Sequence, residues 1–502
     1  MTALEQLRAA LAEVSDLERA AGVLEWDQET QLPPGGVAGR ANQLETVSRI
    51  AHERFVSEST GRLLEEAQAE VEALPYDSDE RSLVRVARRE HDYAVKLPPE
   101  LVGEMARAQA EAQPVWVEAR RRSDWSLFEP RMRRTVDLAR RVADAYGYEQ
   151  HPMDALIARY EPGLTARDVE AIFAELRGAV VPLVQEIGGR PQPPDVLDRD
   201  WLPEERQQQF GLDVATAMGY DLDRGRLDRS AHPFTIGFGP SDVRITTRIE
   251  RGLTSLYSTV HEAGHGMYEQ GVAPDLDRGP LARGATPGIH ESQSRLWENL
   301  VGRSRAFATY VVPRLHAAFP EVAAGIDEES YYRAMNVVRP SYIRVDADEV
   351  TYNLHIMLRT ELEHDLLDGA LPVAEIPEAW NAKLDEYLGL PAPDPARGCL
   401  QDIHWTFPVL GSFIGYTLGN VIAPQLLATA RRTLADLEGQ IARGEFAPLH
   451  GWLVEHVYRH GAKFTPNELL EQVSGEPISP RFWIDYVREK FGALYGLAAV
   501  PG

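Results

Sequence analysis

The sequence predicts a mainly α-helical protein with one small β-sheet. Apolar residues recur at helical spacing near both ends of the chain, at residues 4–17 and 434–441. One region has a strand pattern instead: two β-rich runs, 232–238 and 242–249, flank a Gly-Pro-Ser turn, and the second run alternates apolar with polar residues. With 502 residues, of which 44% are hydrophobic and 26% charged, the chain is long and apolar enough for a large core.

Composition and charge restrict the class of protein. The formal net charge of −25 disfavours nucleic-acid binding, because affinity for phosphates depends on clustered Lys and Arg. The N-terminus carries acids and no apolar core, so we expect no secretory signal, and the single Cys399 cannot form an internal disulfide. The charge-free stretch 403–430 is long enough to span a bilayer, but His404, Asn420 and Pro424 within it indicate a buried helix. We therefore expect a cytoplasmic protein with no nucleic-acid or membrane partner.

The most informative motif is the run His261-Glu262-Ala263-Gly264-His265. Residues i and i+4 of an α-helix project from one face, so both imidazoles can reach one metal ion. The surrounding residues 254–270 have a helical pattern that ends at Gly271. Zinc lowers the pKa of a bound water toward neutrality, and Glu262 beside it is suited to take the proton. The motif therefore indicates metal-assisted hydrolysis. The apolar residues at core-facing spacing in this helix are Leu256, Val260, Ala263 and Met267.

A hydrolytic zinc site also needs a third protein ligand and an open position. After a Gly/Pro-rich connection, residues 289–299 have a helical pattern that places Glu291 and Glu298 along one side. Glu291 is the candidate third ligand and Glu298, two turns further on, competes with it. A charged helix face is also often simply solvated, so the residues alone leave the choice open.

Two further segments offer substrate contacts. The strand run 242–249 precedes the metal motif, and a strand beside a hydrolytic zinc can pair with an extended substrate backbone. Its arginines, including Arg244, are equally suited to face solvent. Arg344 is suited to a bidentate grip on a carboxylate, although Asp346 and Asp348 beside it offer a structural salt bridge instead.

Several motifs in order resemble those of the Taq-type thermostable metallocarboxypeptidases, a family of zinc carboxypeptidases. The resemblance extends from about Trp26 to the C-terminal helices. The matching blocks are WDQET at 26–30, HPF at 232–234, DVRIT at 242–246, HEAGH at 261–265, HESQ at 290–293, IRVDAD at 343–348 and GCLQDIHW at 398–405.

The resemblance implies a role for the matching residues. His261, His265 and Glu291 are the implied ligands of one divalent metal ion per chain. Zn²⁺ is the expected metal and Co²⁺ is the alternative. Glu262 is the implied general base, which passes the proton of the attacking water to the leaving amine. Arg344 is implied to receive the free C-terminal carboxylate of a peptide substrate.

Other residues are named as candidates on the same resemblance. His404 and Tyr416 are candidates to bind the oxyanion or position the substrate, and His232 and Arg244 are candidate substrate-binding residues. The resemblance also implies a homodimer. For the fold it implies a large helical body around a deep cleft, with the small sheet near the zinc site. The chain would form a single domain over residues 1–502, with the N-terminal helices as one wall or lid of the cleft.

The sequence departs from the family at Leu32, where the family has Met, and in two further places. An aromatic run resembling FGYFP in the family is LGSFIGY at 410–416 here. A carboxylate that orients a zinc-bound histidine is expected, and related zinc peptidases carry it one turn after the glutamate ligand. This chain has Arg295 at that position, so Asp402 and Asp348 are the candidates for the orienting carboxylate.

Three functions fit these observations. The favoured hypothesis is a zinc carboxypeptidase of broad preference. The first alternative is a zinc oligopeptidase that cuts internal bonds with the same metal residues and differs in its use of Arg344. The second is a non-catalytic peptide-binding module, which is disfavoured because the base and all three implied ligands are present.

Overall fold

The fold is mainly helical with one small sheet, as the sequence predicts. The computed structural model describes residues 1–201 and 203–497, and these residues form 20 α-helices and one three-stranded sheet. The first ten helices are α1 (Ala3–Thr30), α2 (Val37–Phe55), α3 (Glu58–Val71), α4 (Asp79–Lys96), α5 (Pro99–Arg122), α6 (Trp125–Tyr146), α7 (Pro152–Tyr160), α8 (Ala166–Gly188), α9 (Glu204–Met218) and α10 (Thr254–Gly271). The others are α11 (Pro287–Arg295), α12 (Arg305–Ala318), α13 (Glu328–Met335), α14 (Tyr352–Asp368), α15 (Ile376–Leu388), α16 (Ile414–Thr433), α17 (Leu437–Arg443), α18 (Ala447–His456), α19 (Pro466–Ser474) and α20 (Arg481–Tyr495).

The sheet contains the predicted hairpin and one further strand. Strand β2 (Thr235–Gly237) pairs antiparallel with β3 (Val243–Thr247), and Thr235 lies opposite Ile245. The added strand, β1 (Leu227–Arg229), pairs parallel with β3, so the order is β1-β3-β2. A strand of three residues is too short to show an alternation pattern, which is why the sequence did not predict it.

Strand β3 is more deeply buried than the alternation predicts. Thr246 was expected on the polar side together with Arg244, but it is fully buried. Its hydroxyl accepts a hydrogen bond from the Phe234 backbone N–H at 2.9 Å and lies 2.7 Å from the Ser230 hydroxyl. A threonine can be buried in this way because its one polar group finds partners inside the protein.

The chain forms two compact units, each built from three separate segments. Unit 1 comprises residues 1–95, 194–335 and 426–477, and unit 2 comprises residues 96–193, 336–425 and the segment from 478 onward. The single domain with the N-terminal helices as a wall or lid stays a prediction.

In unit 1, the N-terminal helices share a hydrophobic cluster with the segment that follows α10. Leu7 and Leu11 of α1 pack in this cluster with Leu64 of α3, Val84 of α4 and Val272, all of them buried. The regularly spaced apolar residues that predicted α1 therefore form the face of the helix that packs in this cluster.

Helix α10, which carries the metal motif, is held on its apolar face. The four apolar residues predicted to face the core are all buried, with exposed fractions of 0–1%. The helix packs against α9, α11 and strand β3. Because the helix is surrounded by these neighbours, its two histidines and its glutamate are held in fixed positions. They do not lie on a freely solvated helix face.

In unit 2, a buried ion pair within α14 contacts the segment that precedes α16. Arg359 and Glu363 are both 2% exposed, and Arg359 Nε donates to Glu363 Oε1 at 3.0 Å. The same carboxylate accepts hydrogen bonds from Trp405 Nε1 and from the Gly411 backbone N–H, each at 2.9 Å. The Arg359 guanidinium also lies 3.9 Å from the centre of the Phe413 ring. This pair therefore holds the 410–416 run at Gly411 and Phe413.

Within residues 1–201 and 203–497, no helix is long and apolar enough to cross a membrane. Helix α16 occupies much of the charge-free stretch that the sequence predicts to be a buried helix. Its residues Leu418, Val421 and Leu426 are fully buried.

Replacing Glu363 by Gln should destabilise the protein strongly, because the buried Arg359 would lose the carboxylate that binds its Nε and would keep only Asp402, 3.8 Å from its Nη1, as a counter-charge. Removing one partner of a buried pair typically costs about 3–5 kcal/mol. The free energy of unfolding is measured by urea denaturation, using the transition that Trp fluorescence reports. The matched control is Glu129→Gln in α6. It breaks an exposed ion pair with Arg133, which also joins residues i and i+4 of one helix. Such pairs are worth about 0.3–0.5 kcal/mol, so equal losses in the two variants would contradict this account.

Candidate metal centre

Three potential ligand atoms converge in unit 1. His261 and His265 lie one turn apart on α10, and Glu291 lies on α11. Glu291 Oε2 is 3.7 Å from His261 Nε2 and 3.4 Å from His265 Nε2. Two atoms that each lie about 2.0–2.1 Å from one ion in tetrahedral arrangement are themselves roughly 3.3 Å apart. The distances and the two-nitrogen, one-oxygen donor set therefore fit one divalent ion, with a further position left open.

The close approach of α10 and α11 depends on Gly264, between the two histidines. A Cβ atom at this position would be 2.7 Å from both Gln293 O and Ser294 Cα. Real Cβ atoms do not approach other atoms so closely, so α11 can pack here only because residue 264 has no side chain. Helix α11 is oriented from its first turn, where the Thr286 hydroxyl accepts from the Ile289 backbone N–H at 3.3 Å.

Glu291 offers only one of its oxygens to an ion. Arg295 Nε donates to the other oxygen, Oε1, at 2.7 Å. Burial by itself would raise the pKa of Glu291, but the charges of Arg295 and His261 hold it well below its usual value. The carboxylate is therefore ionised, and Oε2 is the oxygen that faces both imidazoles.

Glu262 lies beside the two histidines and is 7% exposed. Its Oε2 accepts a hydrogen bond from the Thr235 hydroxyl of β2 at 2.7 Å, and the same hydroxyl lies 2.9 Å from the Glu262 backbone carbonyl. Burial raises the pKa of this carboxyl. The predicted neighbourhood of the small sheet and the metal motif is thus a direct contact through Thr235.

Glu298 contacts His261 from the side opposite to Glu291. Glu298 Oε2 is 2.8 Å from His261 Nδ1, while Arg303 donates to Glu298 Oε1 at 2.8 Å. Both oxygens therefore have partners, and the carboxylate is placed to orient the ring of His261 rather than to bind an ion. A π-helical turn, Leu296–Val301, follows α11 and carries this residue.

This arrangement corrects the sequence-based candidates for the orienting carboxylate. Asp348 accepts hydrogen bonds from Val350 and Thr351 at the start of α14, and Asp402 binds Arg344. The spacing argument failed because it assumed one turn after Glu291, whereas Glu298 lies two turns on.

Two further residues at the centre, His290 and Glu269, were not among the predicted site residues. His290 Nδ1 is 2.5 Å from His265 Nδ1, and His290 Nε2 is 2.8 Å from Glu269 Oε1. Burial and the neighbouring His290 lower the pKa of His265 to about 4, so its ring is neutral at pH 7. The spacing of Glu269, one helical turn after His265, was the only sequence signal for this contact.

The predicted substrate residues of unit 1 occupy different surroundings. Arg244 donates to both oxygens of Asp242, at 2.9 and 2.8 Å, and its guanidinium lies 4.5 Å from the Trp26 ring and 4.9 Å from the Phe238 ring. The structure therefore uses Arg244 to join α1 to the sheet. His232 is exposed just before β2. A substrate-binding role for either residue stays a prediction.

In unit 2, Arg344 is 8% exposed and forms a salt bridge, but not with the neighbours that the sequence suggests. Its Nε and Nη2 atoms donate to the two oxygens of Asp402 at 2.6 and 3.1 Å, and Nη1 donates to the Tyr352 hydroxyl at 2.8 Å. Asp346 and Asp348 do not form this pair, since Asp402, far away in sequence, occupies that edge of the guanidinium.

His404 and Tyr416 lie around the same arginine. His404 Nδ1 is 3.1 Å from Asp402 Oδ1, and its ring meets the edge of Phe413 at 4.7 Å between centroids. Tyr416 lies 5.4 Å from the Arg344 guanidinium. The structure thus brings together three of the predicted residues, Arg344, His404 and Tyr416. It adds Asp402 from the 398–405 block and Phe413 from the 410–416 run.

One other group in the described part of the chain has three potential ligands, namely His151, His364 and Asp368 of unit 2. The two rings are stacked, with centroids 3.8 Å apart and planes 5° from parallel. Stacked rings cannot both point an in-plane lone pair at one ion. His151 Nδ1 also accepts from the Met153 backbone N–H at 3.1 Å, which places the ring proton on Nε2. This group is therefore not a metal site of the same kind.

Known proteins match the chain over almost its whole length. The family model of the carboxypeptidase Taq (M32) metallopeptidases matches residues 6–491. Thermostable carboxypeptidase 1 of Thermus thermophilus is 40% identical over 94% of both chains, and thermostable carboxypeptidase 1 of Pyrococcus furiosus is 36% identical over 97% of this chain and 98% of its own. The crystal structure of an M32 carboxypeptidase from Deinococcus radiodurans superimposes with a TM-score of 0.95 at 42% identity, covering 98% of this chain and 99% of that one. The chain belongs to the carboxypeptidase Taq (M32) family of metallopeptidases, hydrolases that act on peptide bonds.

Proposed function

We propose that this protein is a zinc-dependent carboxypeptidase that removes C-terminal residues from peptides with broad preference, with Glu262 as general base. The observation that carries the proposal is the convergence of His261 Nε2, His265 Nε2 and Glu291 Oε2, with the carboxylate of Glu262 on the same helix. A divalent ion held by these atoms would acidify an attacking water and polarise the scissile carbonyl.

The donor set favours zinc as the metal. Imidazole nitrogens suit Zn²⁺ and Co²⁺, whereas Mg²⁺ and Ca²⁺ prefer oxygen ligands. Two of the three donor atoms here are imidazole nitrogens. The homodimer implied by the family resemblance and the cytoplasmic location expected from the N-terminal composition and the single cysteine stay predictions.

Glu262 is suited to move a proton in both directions. The Thr235 hydroxyl holds Oε2 at 2.7 Å and thereby fixes the orientation of the carboxylate. The other oxygen, Oε1, is left to take a proton from the attacking water and to return it to the leaving amine. Because burial raises the pKa of Glu262, the proton is held more tightly than by an exposed glutamate, which suits a group that must also act as an acid.

Arg344 is the proposed partner of the substrate's terminal carboxylate. Asp402 takes the Nε/Nη2 edge of the guanidinium and Tyr352 takes one N–H of Nη1, so the second N–H of Nη1 and that of Nη2 are the donors suited to a second carboxylate. His404, whose Nδ1 lies against Asp402, has Nε2 as the nitrogen for a substrate contact. Tyr416 is proposed to help position the substrate.

A peptide and its C-terminally amidated twin should behave differently with the zinc-loaded protein. We expect stepwise loss of single residues from the free-acid peptide only, because the amide cannot form the ion pair with Arg344. Mass spectrometry of the products at several time points measures this. Internal cleavage of both peptides at equal rates would instead indicate an oligopeptidase.

Replacing Glu262 by Gln should lower kcat by about 10²–10⁴-fold, the range typical of losing a general base. The variant should still bind one zinc ion, because Glu262 is not among the three converging ligand atoms. Steady-state kinetics and metal analysis of the same sample measure both quantities. Glu321→Gln, on the surface of the same unit, is the matched control. An unchanged kcat in the Glu262 variant would disprove the mechanism.

Replacing Arg344 by Gln should raise KM for free-acid peptides by roughly 10–100-fold, which corresponds to the loss of a charge-assisted contact worth about 1.5–3 kcal/mol. The slow cleavage of amidated peptides, where detectable, should not change. Arg339→Gln provides an exposed control in the same unit. Equal losses on free-acid and amidated peptides would show that Arg344 does not recognise the terminal carboxylate.

A further inference from the structure

Behind His265, on the side away from the converging ligand atoms, two more side chains form a hydrogen-bonded relay. His265 Nδ1 contacts His290 Nδ1 at 2.5 Å, and His290 Nε2 contacts Glu269 Oε1 at 2.8 Å. His265 and Glu269 lie on α10, while His290 precedes Glu291 on α11. Helix α11 thus contributes Glu291 to the front of the site and His290 to the back of it.

Metal binding through His265 Nε2 would determine every proton position in this relay. Nε2 must be unprotonated to give its lone pair to an ion, so the proton of the neutral ring is on Nδ1. His290 Nδ1 must then accept that proton's hydrogen bond, and the proton of His290 is therefore on Nε2. From there it donates to Glu269 Oε1. Each contact then has one donor and one acceptor. The other tautomer of His265, with its proton on Nε2, could not bind the ion through that nitrogen.

The far end of the relay is fixed by the connection between α10 and α11. The Gly284 backbone N–H donates to Glu269 Oε1 at 2.9 Å, and the Ala285 backbone N–H donates to the Tyr268 hydroxyl at 3.0 Å. A Cβ atom at residue 284 would collide with the ring of His290 and would lie 2.9 Å from the Tyr268 ring. Only glycine allows the connection to lie this close to the relay.

We propose that His290 and Glu269 are positioning residues for His265, and that the close packing of Gly284 keeps them in place. They hold His265 in the ring orientation and tautomer that present Nε2 to the ion. The inference rests on the proposed function, because it requires His265 to be a metal ligand. It goes beyond that function by assigning metal retention to residues that do not contact the ion.

The alternative is a purely structural role, in which His290 and Glu269 only satisfy each other between α10 and the connection. The two roles differ in what a substitution changes. A structural contact affects the stability of the metal-free protein, whereas a positioning contact affects metal affinity and the ligand field of the ion. Carboxylates and other groups hydrogen-bonded to a ligand histidine typically change metal affinity by about 10–100-fold when removed.

The experiment compares metal binding in four variants with that of the unaltered protein. Glu269→Gln removes the charge at constant shape, His290→Leu removes the acceptor for His265, and His290→Asn restores an acceptor oxygen near the place of Nδ1. Gly284→Ala displaces the relay without changing any polar group. The control is Gly279→Ala in the same connection, where a Cβ atom would meet its nearest neighbours at ordinary distances of 3.6 and 3.7 Å.

Two probes are used on the full-length protein. Zn²⁺ dissociation constants come from competition with a chromogenic chelator, and the visible absorption of bound Co²⁺ reports the ligand field. We expect Zn²⁺ affinity to fall about 10–100-fold in Glu269→Gln, His290→Leu and Gly284→Ala, with altered Co²⁺ spectra. His290→Asn should recover part of the loss, and Gly279→Ala should match the unaltered protein.

Thermal unfolding of the metal-free proteins separates the two roles. Unchanged Zn²⁺ affinity and Co²⁺ spectra in both Glu269→Gln and Gly284→Ala would overturn the inference, whatever happens to His290→Leu. The same holds if affinity falls only in proportion to a loss of metal-free stability while the spectra stay the same. If the unaltered protein itself bound neither ion, the proposed function would fail instead, so the two failures are distinguishable.

Discussion

The contact between α10 and α11 at Gly264 is the constraint on which the site depends. It brings two imidazoles from one helix and a carboxylate from the next to within 4.8 Å of one another. A side chain at residue 264 would push the helices apart and separate Glu291 from both histidines. The spacing of the histidines along α10 is therefore a necessary condition for the site, and the small residue between them is what brings the Glu291 carboxylate close to both imidazoles.

Arginines balance the negative charge of the buried carboxylates around this contact, so that a metal ion is not their sole counter-charge. Glu291 and Glu298 are 6% and 8% exposed, and buried carboxylates need partners. Arg295 donates to Glu291, and Arg303 donates to Glu298. One oxygen of Glu291 and the Nε2 atoms of two imidazoles remain directed to the same space. This balance explains how two acids can be buried so close to a histidine pair.

The small sheet and the N-terminal helix support the site indirectly. Strand β2 holds the carboxylate of Glu262 through Thr235. Strand β3 carries Arg244, which packs between Trp26 of α1 and Phe238 and pairs with Asp242. The matching blocks near residues 26–30 and 242–246 therefore meet in space, and their role in the structure is to hold the sheet against α1. In unit 2, Asp402 has a comparable function, since it holds Arg344 and His404 at once.

Much of this protein follows from local patterns in the sequence. Helical periodicity predicted the apolar face of α10, the i, i+4 spacing predicted that His261 and His265 lie on one face of that helix, and the turn between two β-rich runs predicted the hairpin. These features depend on residues close in the chain, whose relative positions the backbone geometry determines. The tertiary structure decided everything that depends on residues far apart. It paired Arg344 with Asp402 rather than with Asp346 or Asp348, gave Glu298 to His261, and placed His290 between His265 and Glu269. Apart from the one-turn spacing of His265 and Glu269, spacing along the chain carries no information about such pairs, because they are selected by how buried charges and hydrogen-bonding groups find partners once the helices have packed.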